Sequence, residues 1–439
     1  MENERQNYPL NLIPILDILK DTIKIFNSTI FFDKNIKISP KSITILKKQI
    51  NYDEYDKKYI ILIGKGIYGL IKYLNENLII NNHFTIIALV PDKTKIETDI
   101  HEEKILIQEG NHPIPKEKSI ESTKRIINII KKLDENDLVI FFISGGSSSL
   151  FCYPNPIYSR NEFSQIWEDL LYSSLSIHEI NYLRGKIDLV KKGGIFSFTK
   201  SKIISFYLSD VVGDNLSSIG SGPTIIDHEI LNEKNFIKNL PKSTVYLYEK
   251  IQNSKFDYKI TKNLISNNLF LSQLDFAKEL SKIAEVDGYR SKLHLPAYIG
   301  SYKEVCYEII SYFKNNYENN NSNKKILNIW SGEPVVEVSE NDLNGIGGRN
   351  QHLLLFLFKL WIENELPSGL LISFATDGID GNSPYAGGWI NTQESKKDLN
   401  SINRYLNEFN SSSYLRPDNF IKTGVTGINF ADIIIIYLF

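Results

Sequence analysis

The 439-residue sequence predicts an α/β protein of two domains, and three observations carry that prediction. Continuous apolar runs rich in β-branched and aromatic residues recur along the chain, as expected of buried parallel strands. Each run ends in a glycine or polar cluster, and most are followed by a helix-like stretch, the rhythm of an α/β fold. The length leaves room for two or three domains of about 150 residues, each able to bury a core.

IPILDILKDTIKIF at 13–26 repeats its apolar residues at helical spacing and reads as an amphipathic helix. The first strands are YIILIG at 59–64 and FTIIALVP at 84–91. A helical pattern at 119–133 leads to LVIFFISGG at 138–146, and IISFYLSD at 203–210 follows. The stretch 231–259 is polar and has no strong strand, which places a domain boundary near residue 260 and predicts domains 1–260 and 261–439. The second domain has helical patterns at 272–286 and 302–316, then strands at 326–333, 370–378 and 431–439. YENNNSNKK at 317–325 reads as an exposed loop, and no repeat of solenoid length is present.

Composition narrows the class. With 42% hydrophobic and 23% charged residues the chain is neither disordered nor low-complexity. Fifty basic against fifty-two acidic residues, a net charge of −2, give no general drive toward nucleic acid or an anionic membrane. Cys152 and Cys306 lie far apart, outside any disulfide or zinc pattern, and read as buried thiols. The start MENERQNYPL lacks a signal-peptide pattern, and IIIIYL at 433–438 is far short of the roughly 20 apolar residues of a membrane span. A cytoplasmic protein with small-molecule partners is expected.

The unusual residues collect at strand ends, where open α/β sheets bind ligands. SGGSSS at 144–149 suits a phosphate or carboxylate, or serves as a tight turn with a helix cap. GKGIYG at 64–69, with Asp92 near the end of the next strand, fits the dinucleotide pattern; Lys65 equally reads as a fixed cation facing an anion, or as a solvated loop residue. ATDGIDG at 375–381 carries Asp377 and Asp380, at a spacing that suits Mg²⁺ or an Asx turn. Asp210 and Asp214 flank a turn in 209–224, and TGVTGIN at 423–429 supplies Thr426 and Asn429. Arg349, directly after two glycines in GIGGRNQ, opposes the dipole of the helix it starts and so invites an anion. His112 in GNHPIP is the one histidine in such a loop, and neither a GxSxG elbow nor a P-loop occurs. Together these loops point to a phosphate-handling, Mg²⁺-dependent enzyme.

In this order the motifs resemble the glycerate kinase type 2 family, whose C-terminal part is the MOFRL domain. The resemblance rests on GK at 64–65, EGNHPIP at 109–115, ISGGSSSL at 143–150, N-x-L-R at 181–184 with KGG at 192–194, and SDVVGDNLSSIGSGPT at 209–224. It continues through SGEPVVEV at 331–338, GIGGRNQ at 345–351, ATDGIDG at 375–381 and TGVTGIN at 423–429. It implies a largely parallel, Rossmann-like N-terminal domain, a smaller mixed α/β C-terminal domain with the MOFRL region at about 325–439, and an active site in the cleft between them. The implied reaction is ATP-dependent phosphorylation of D-glycerate to 2-phosphoglycerate with Mg²⁺, by a monomer or homodimer. Lys65 and Arg349 match the family's catalytic lysine and arginine. By extension Asp210 is the candidate base and Asp377 with Asp380 the Mg²⁺ ligands. Ser144, Gly145, Gly146, Ser147, Ser148, Asn111, His112, Arg184, Glu333, Thr426 and Asn429 are the candidate substrate or phosphate contacts.

The chain departs from the family pattern around these residues. SGGSSSL replaces SGGGSAL at Ser147, NYLRGKID at 181–188 loses the family's histidine and serine, and GGET becomes SGEP with Ser331 and Pro334. These changes bear on substrate preference more than on reaction class. Two other readings remain: an NAD(P)H-dependent hydroxypyruvate reductase, supported by GKGIYG and Asp92, and a catalytically silent sugar-acid-binding protein of the same fold.

Overall fold

The computed structural model describes residues 9–27, 29–77, 82–92, 105–226, 231, 236–252, 263–316, 326–338, 345–394 and 398–439. The chain divides into two compact units, one of Ser28–Ser272 and one of Met1–Asn27 with Gln273–Phe439. The boundary therefore falls after Ser272 and not near residue 260, and the N-terminal helix joins the C-terminal unit. Two features explain the difference. Strand Leu264–Leu271, with polar residues at its centre, pairs with the first unit's sheet. Helix Leu12–Asn27 buries Ile15, Ile18 and Leu19 and packs on helix Asp275–Val286, with Phe26 against Phe276 and Phe430. Within the polar stretch, helix Lys242–Gln252 sends Leu247 and Tyr248 into a core with Trp167 and Phe163, so it is not a linker. The expected loop at 317–325 lies outside the described residues.

The first unit is built on six parallel strands: in chain order Lys58–Ile63, Thr85–Pro91, Ile105–Gly110, Leu138–Ser144, Lys202–Leu208 and Leu264–Leu271. Their spatial order is third, second, first, fourth, fifth, sixth, the doubly wound order of dinucleotide-binding domains. It reverses between Lys58–Ile63 and Leu138–Ser144, so the loops after these two strands open side by side. Both strands are buried along most of their length, which is why they read as unbroken apolar runs. A small antiparallel sheet of Ile36–Ile38, Ser42–Ile45 and Lys48–Asn51 also belongs to this unit; its strands are too short to stand out in the sequence.

The second unit carries a mixed sheet in the order Arg290–Ser301, Ile326–Val335, Asp432–Leu438, Gly369–Phe374, Gly387–Asn391, Phe420–Ile421. Only the first pair is parallel. Asp432–Leu438, the most apolar run in the chain, is antiparallel to both neighbours. An unbroken apolar run thus reports burial on two faces here, not strand direction. Helix Arg349–Glu363, apolar almost all round, is buried from Asn350 to Phe358 and packs on helix Tyr302–Asn316 and the sheet. Cys152 and Cys306 are free and buried, as expected. Among the described residues no helix is long and apolar enough to cross a membrane.

Candidate active site

In the first unit the switch point assembles Lys65, Gly146 and His112 from three strand ends. The N–H of Lys65 donates to Gly145 O at 2.9 Å, and that of Gly66 to Ser144 Oγ at 3.0 Å, lacing the two neighbouring loops together. Gly146 has a φ of +80°, and a Cβ there would lie 2.9 Å from Lys65 Cγ and 3.2 Å from the His112 ring. The lysine stem and the imidazole therefore both line the space over a bare backbone. Burial, with Lys65 adding to it, pushes His112 down to about 4, so the ring is neutral at physiological pH. Gly64 allows the closest approach: a Cβ would collide with Ser144 Oγ and lie 2.9 Å from the Ser144 and Gly145 carbonyl oxygens, at a φ of +129°. Gly64→Ala is expected to lower stability by about 3 kcal/mol through clash and backbone strain, read as a shift in urea midpoint. A midpoint within error of the parent's would refute this close packing.

The serines following that strand work differently from expectation. Ser144 Oγ accepts from Gly66 and donates to Ile63 O, so it laces the loop and is not a spare donor. Ser147 Oγ is buried with no partner and fills the space left by Gly220, where a Cβ would collide with it. Ser148 Oγ lies 3.2 Å from Ser221 Oγ, which donates to Asn181 Oδ1 at 2.8 Å. Both ends of the Asn111 side chain are engaged: its Nδ2 donates to Asp92 at 3.1 Å and its Oδ1 accepts from the Lys118 N–H at 3.2 Å. Arg184 is 7% exposed and lies over the Trp167 ring, near Asp188; burial lowers it to about 10. It is an interior arginine in this structure, not a surface contact for substrate.

One residue escaped sequence reading. Lys191 is buried, donates to Ser148 O at 2.8 Å and to Phe151 O, and lies 3.8 Å from Asp188. It holds the end of the short helix Ser147–Leu150 in place. Two adjacent lysines before a Gly-Gly pair give no signal that one is internal. Asp210 sits half-buried just beyond strand Lys202–Leu208, neighbour to the strand that ends in Ser144.

In the second unit the site forms around Arg349, the first residue of its helix. Nε and Nη2 donate to the two oxygens of Asp432 at 2.6 and 3.2 Å, and Nη1 donates to Glu333 at 2.5 Å. Burial opposes the guanidinium's charge, but Asp432 and Glu333 outweigh it and raise its pKa. Burial pushes the Asp432 carboxyl up to about 7 even beside Arg349, so the guanidinium is what keeps that carboxylate ionised near neutrality. Glu333, expected as a phosphate contact, is instead a partner of the arginine; a carboxylate repels phosphate.

Asp380 differs from expectation as well. It is 1% exposed, and its two oxygens accept the N–H groups of Asn350 and Gln351 at 2.9 Å each. It caps the helix that Arg349 begins, which offsets the dipole. Gly348 makes room for it, since a Cβ there would collide with the carboxylate. Asp377 lies half-buried in the same loop with one oxygen accepting from Ile379 N–H. Thr426 braces this loop by donating to Thr376 O, its own N–H donates to Asp377 O, and its carbonyl accepts from the Asn27 side-chain amide. Asn429 is half-buried two residues before Ala431. Among the described residues no group of three or more His, Cys, Asp or Glu side chains is placed to hold a metal ion. Mg²⁺ commonly takes one or two carboxylates and completes its shell with water and substrate phosphates; of the two aspartates Asp377 is the more exposed, whereas both oxygens of Asp380 are engaged by backbone N–H groups.

Asp380 also yields a test. Burial raises it to about 6, against hydrogen bonds that lower it. A carboxyl raised above its unfolded value contributes stability below about 4 that is lost as pH rises through about 6. Asp380→Asn is therefore expected to flatten the fall in unfolding free energy between pH 4 and 6. An unchanged slope would refute the assigned burial.

A cavity of about 360 Å³ opens in this unit beside Arg349, lined also by His352, Asp377, Ile379 and Phe409. His352 is stacked on Phe409 at 5.2 Å and pushed down to about 4, first by burial and then by Lys303.

Two family models match the chain: a domain of unknown function (DUF4147) over residues 15–251 and the MOFRL family over 326–432. The glycerate 2-kinase of Picrophilus torridus is 31% identical over 436 residues, covering 98% of both chains. The chain belongs to the glycerate 2-kinase (MOFRL) family. The D-glycerate 2-kinase of Thermotoga maritima is 32% identical over 75% of this chain and 79% of its own. A solved structure of Thermotoga maritima glycerate kinase covers 98% of this chain and 100% of its own at 26% identity, with a TM-score of 0.75. Membership in the glycerate 2-kinase family thus extends over both units, and the MOFRL match begins at the strand carrying Glu333 and ends at Asp432.

Proposed function

We propose that the protein transfers the γ-phosphoryl group of ATP to D-glycerate, forming 2-phosphoglycerate and ADP. The observation that carries this reading is the likeness to a glycerate 2-kinase over 98% of both chains, with Lys65 and Arg349 each in a built polar setting. In phosphoryl transfer the protein contributes placement and charge stabilisation. Lys65 and Arg349 stabilise the charge on the transferring group. Neutral His112, which lines the space over Gly146 together with the Lys65 stem, offers a hydrogen bond without adding charge. Asp210 takes the proton of the 2-hydroxyl as its oxygen attacks the γ-phosphorus, the bond to the β–γ bridging oxygen breaks, and ADP leaves. Mg²⁺, held by Asp377 together with phosphate oxygens, would offset the charge of the triphosphate. The enzyme so read is cytoplasmic and its partners are small molecules.

The reductase reading is weakened by the same geometry. In a dinucleotide fingerprint the N–H groups of the first glycine turn face pyrophosphate. Here those of Gly64, Lys65 and Gly66 donate to Leu89 O, Gly145 O and Ser144 Oγ, and Asp92 is bonded to Asn111. ³¹P NMR of protein, ATP, Mg²⁺ and D-glycerate tests the proposal. A new monoester resonance coupled to the C2 proton is expected. Its absence, or coupling to the C3 protons, would contradict the reading as a 2-kinase.

A further inference from the structure

We infer that the cavity beside Arg349 receives the nucleoside end of ATP, with the phosphates directed toward Arg349 and Asp377; this rests on the kinase reading. Three observations carry it. Size is the first: about 360 Å³ lies in the range of pockets for drug-sized ligands, and a three-carbon acid would leave most of it empty. The second is the wall chemistry. Val336, Val338, Ile379 and Phe409 present aliphatic and aromatic surface, and Val338 and Ile379 remain 44% and 46% exposed, which suits a heteroaromatic base better than a hydroxy acid. The third is charge. Arg349 is already paired with Asp432 and Glu333, and Asp377 and Asp380 add further carboxyls, so this side does not attract a bare anion. A nucleotide carrying its own divalent cation fits that balance, whereas a small free carboxylate does not. In the first unit, the backbone donors of the glycine turn after Ile63 are consumed internally, so that turn does not cradle a nucleotide's phosphates.

Photolabelling of the full chain with 8-azido-ATP, competed with ATP, is the test. Label is expected within 336–338, 377–381 or 409–411; label at 64–69, 144–149 or anywhere else overturns the inference. Kinetics give a second readout. Phe409→Ala removes an aromatic wall, and Ile379→Trp, at a position 46% exposed, fills the mouth. Each is expected to raise KM for ATP roughly tenfold while KM for D-glycerate stays within about twofold. A rise confined to KM for D-glycerate overturns it. Should wild-type protein release no ADP with D-glycerate, the kinase reading itself fails; should it turn over while the label falls elsewhere, only this inference fails.

Discussion

Arg349→Ala is expected to lower kcat about a thousandfold, the scale on which removing an arginine that stabilises a transferring phosphoryl group acts. It also strands Asp432, which is 2% exposed and loses both of its guanidinium bonds. Leaving a buried carboxylate unpaired costs about 2 kcal/mol, less than for a fully buried pair because the arginine side chain is 38% exposed. The deficit has a definite pH sign. Asp432 is already raised to about 7, and losing Arg349 raises it further. The orphaned group takes a proton at pH 5 and is neutral there, so the variant's stability falls further behind the parent's at pH 8 than at pH 5. Arg349→Lys keeps a positive charge but not the planar fork that spans both Asp432 oxygens and Glu333, and recovers only a small part of the rate. Arg349→Met with Asp432→Asn separates the two effects: stability returns and activity does not. Full activity in Arg349→Ala would remove the arginine from the mechanism, and a double variant as unstable as the single would remove Asp432 from its stabilisation.

Lys65→Ala is expected to cost roughly a hundredfold to a thousandfold in kcat with a change in stability below about 1 kcal/mol, since the side chain is half-buried on a loop. The variant also has a spectroscopic signature. Burial is the larger cause of the depressed His112 pKa and Lys65 the second, so removing the lysine moves His112 up from about 4 while leaving it below an ordinary histidine. NMR titration of the ring reads this directly. An unmoved His112 would contradict the contact across Gly146, and unaltered kcat would take Lys65 out of the reaction.

Much of the fold was legible because two-sided burial writes itself as unbroken apolar runs: Lys58–Ile63, Leu138–Ser144, Gly369–Phe374 and Asp432–Leu438 stood out. Ile105–Gly110 and Leu264–Leu271 did not. They are the two edges of the first sheet, where polar residues such as Gln108, Asn267 and Asn268 interrupt the run. The same polar edge strand carries the first unit to Ser272, beyond the boundary that the polar stretch 231–259 suggests. Lys65 and Arg349 were visible as charges set among glycines. Asp432 was not, because its side chain meets Arg349 across 83 residues and in sequence it is only the polar first residue of an apolar strand. Asp380 was visible as an acid in a glycine-bounded loop, but that pattern serves a metal ligand and a helix cap equally; the two N–H groups it accepts distinguish them. The serines at 144, 147 and 148 show the same limit, for the residue types suit anion binding while the hydroxyls are spent on the fold.

Transfer of phosphate from ATP to D-glycerate, with Lys65 and Arg349 as the charge-stabilising pair, is open to direct assay. Release of ADP by purified protein on addition of D-glycerate, with Mg²⁺ and ATP, measures it most directly when product is read through enolase without phosphoglycerate mutase. Glycerate-dependent ADP with a matching enolase signal is expected, both lost in Lys65→Ala and in Arg349→Ala. No glycerate-dependent ADP from the wild-type protein, or ADP at the wild-type rate from either variant, would contradict it.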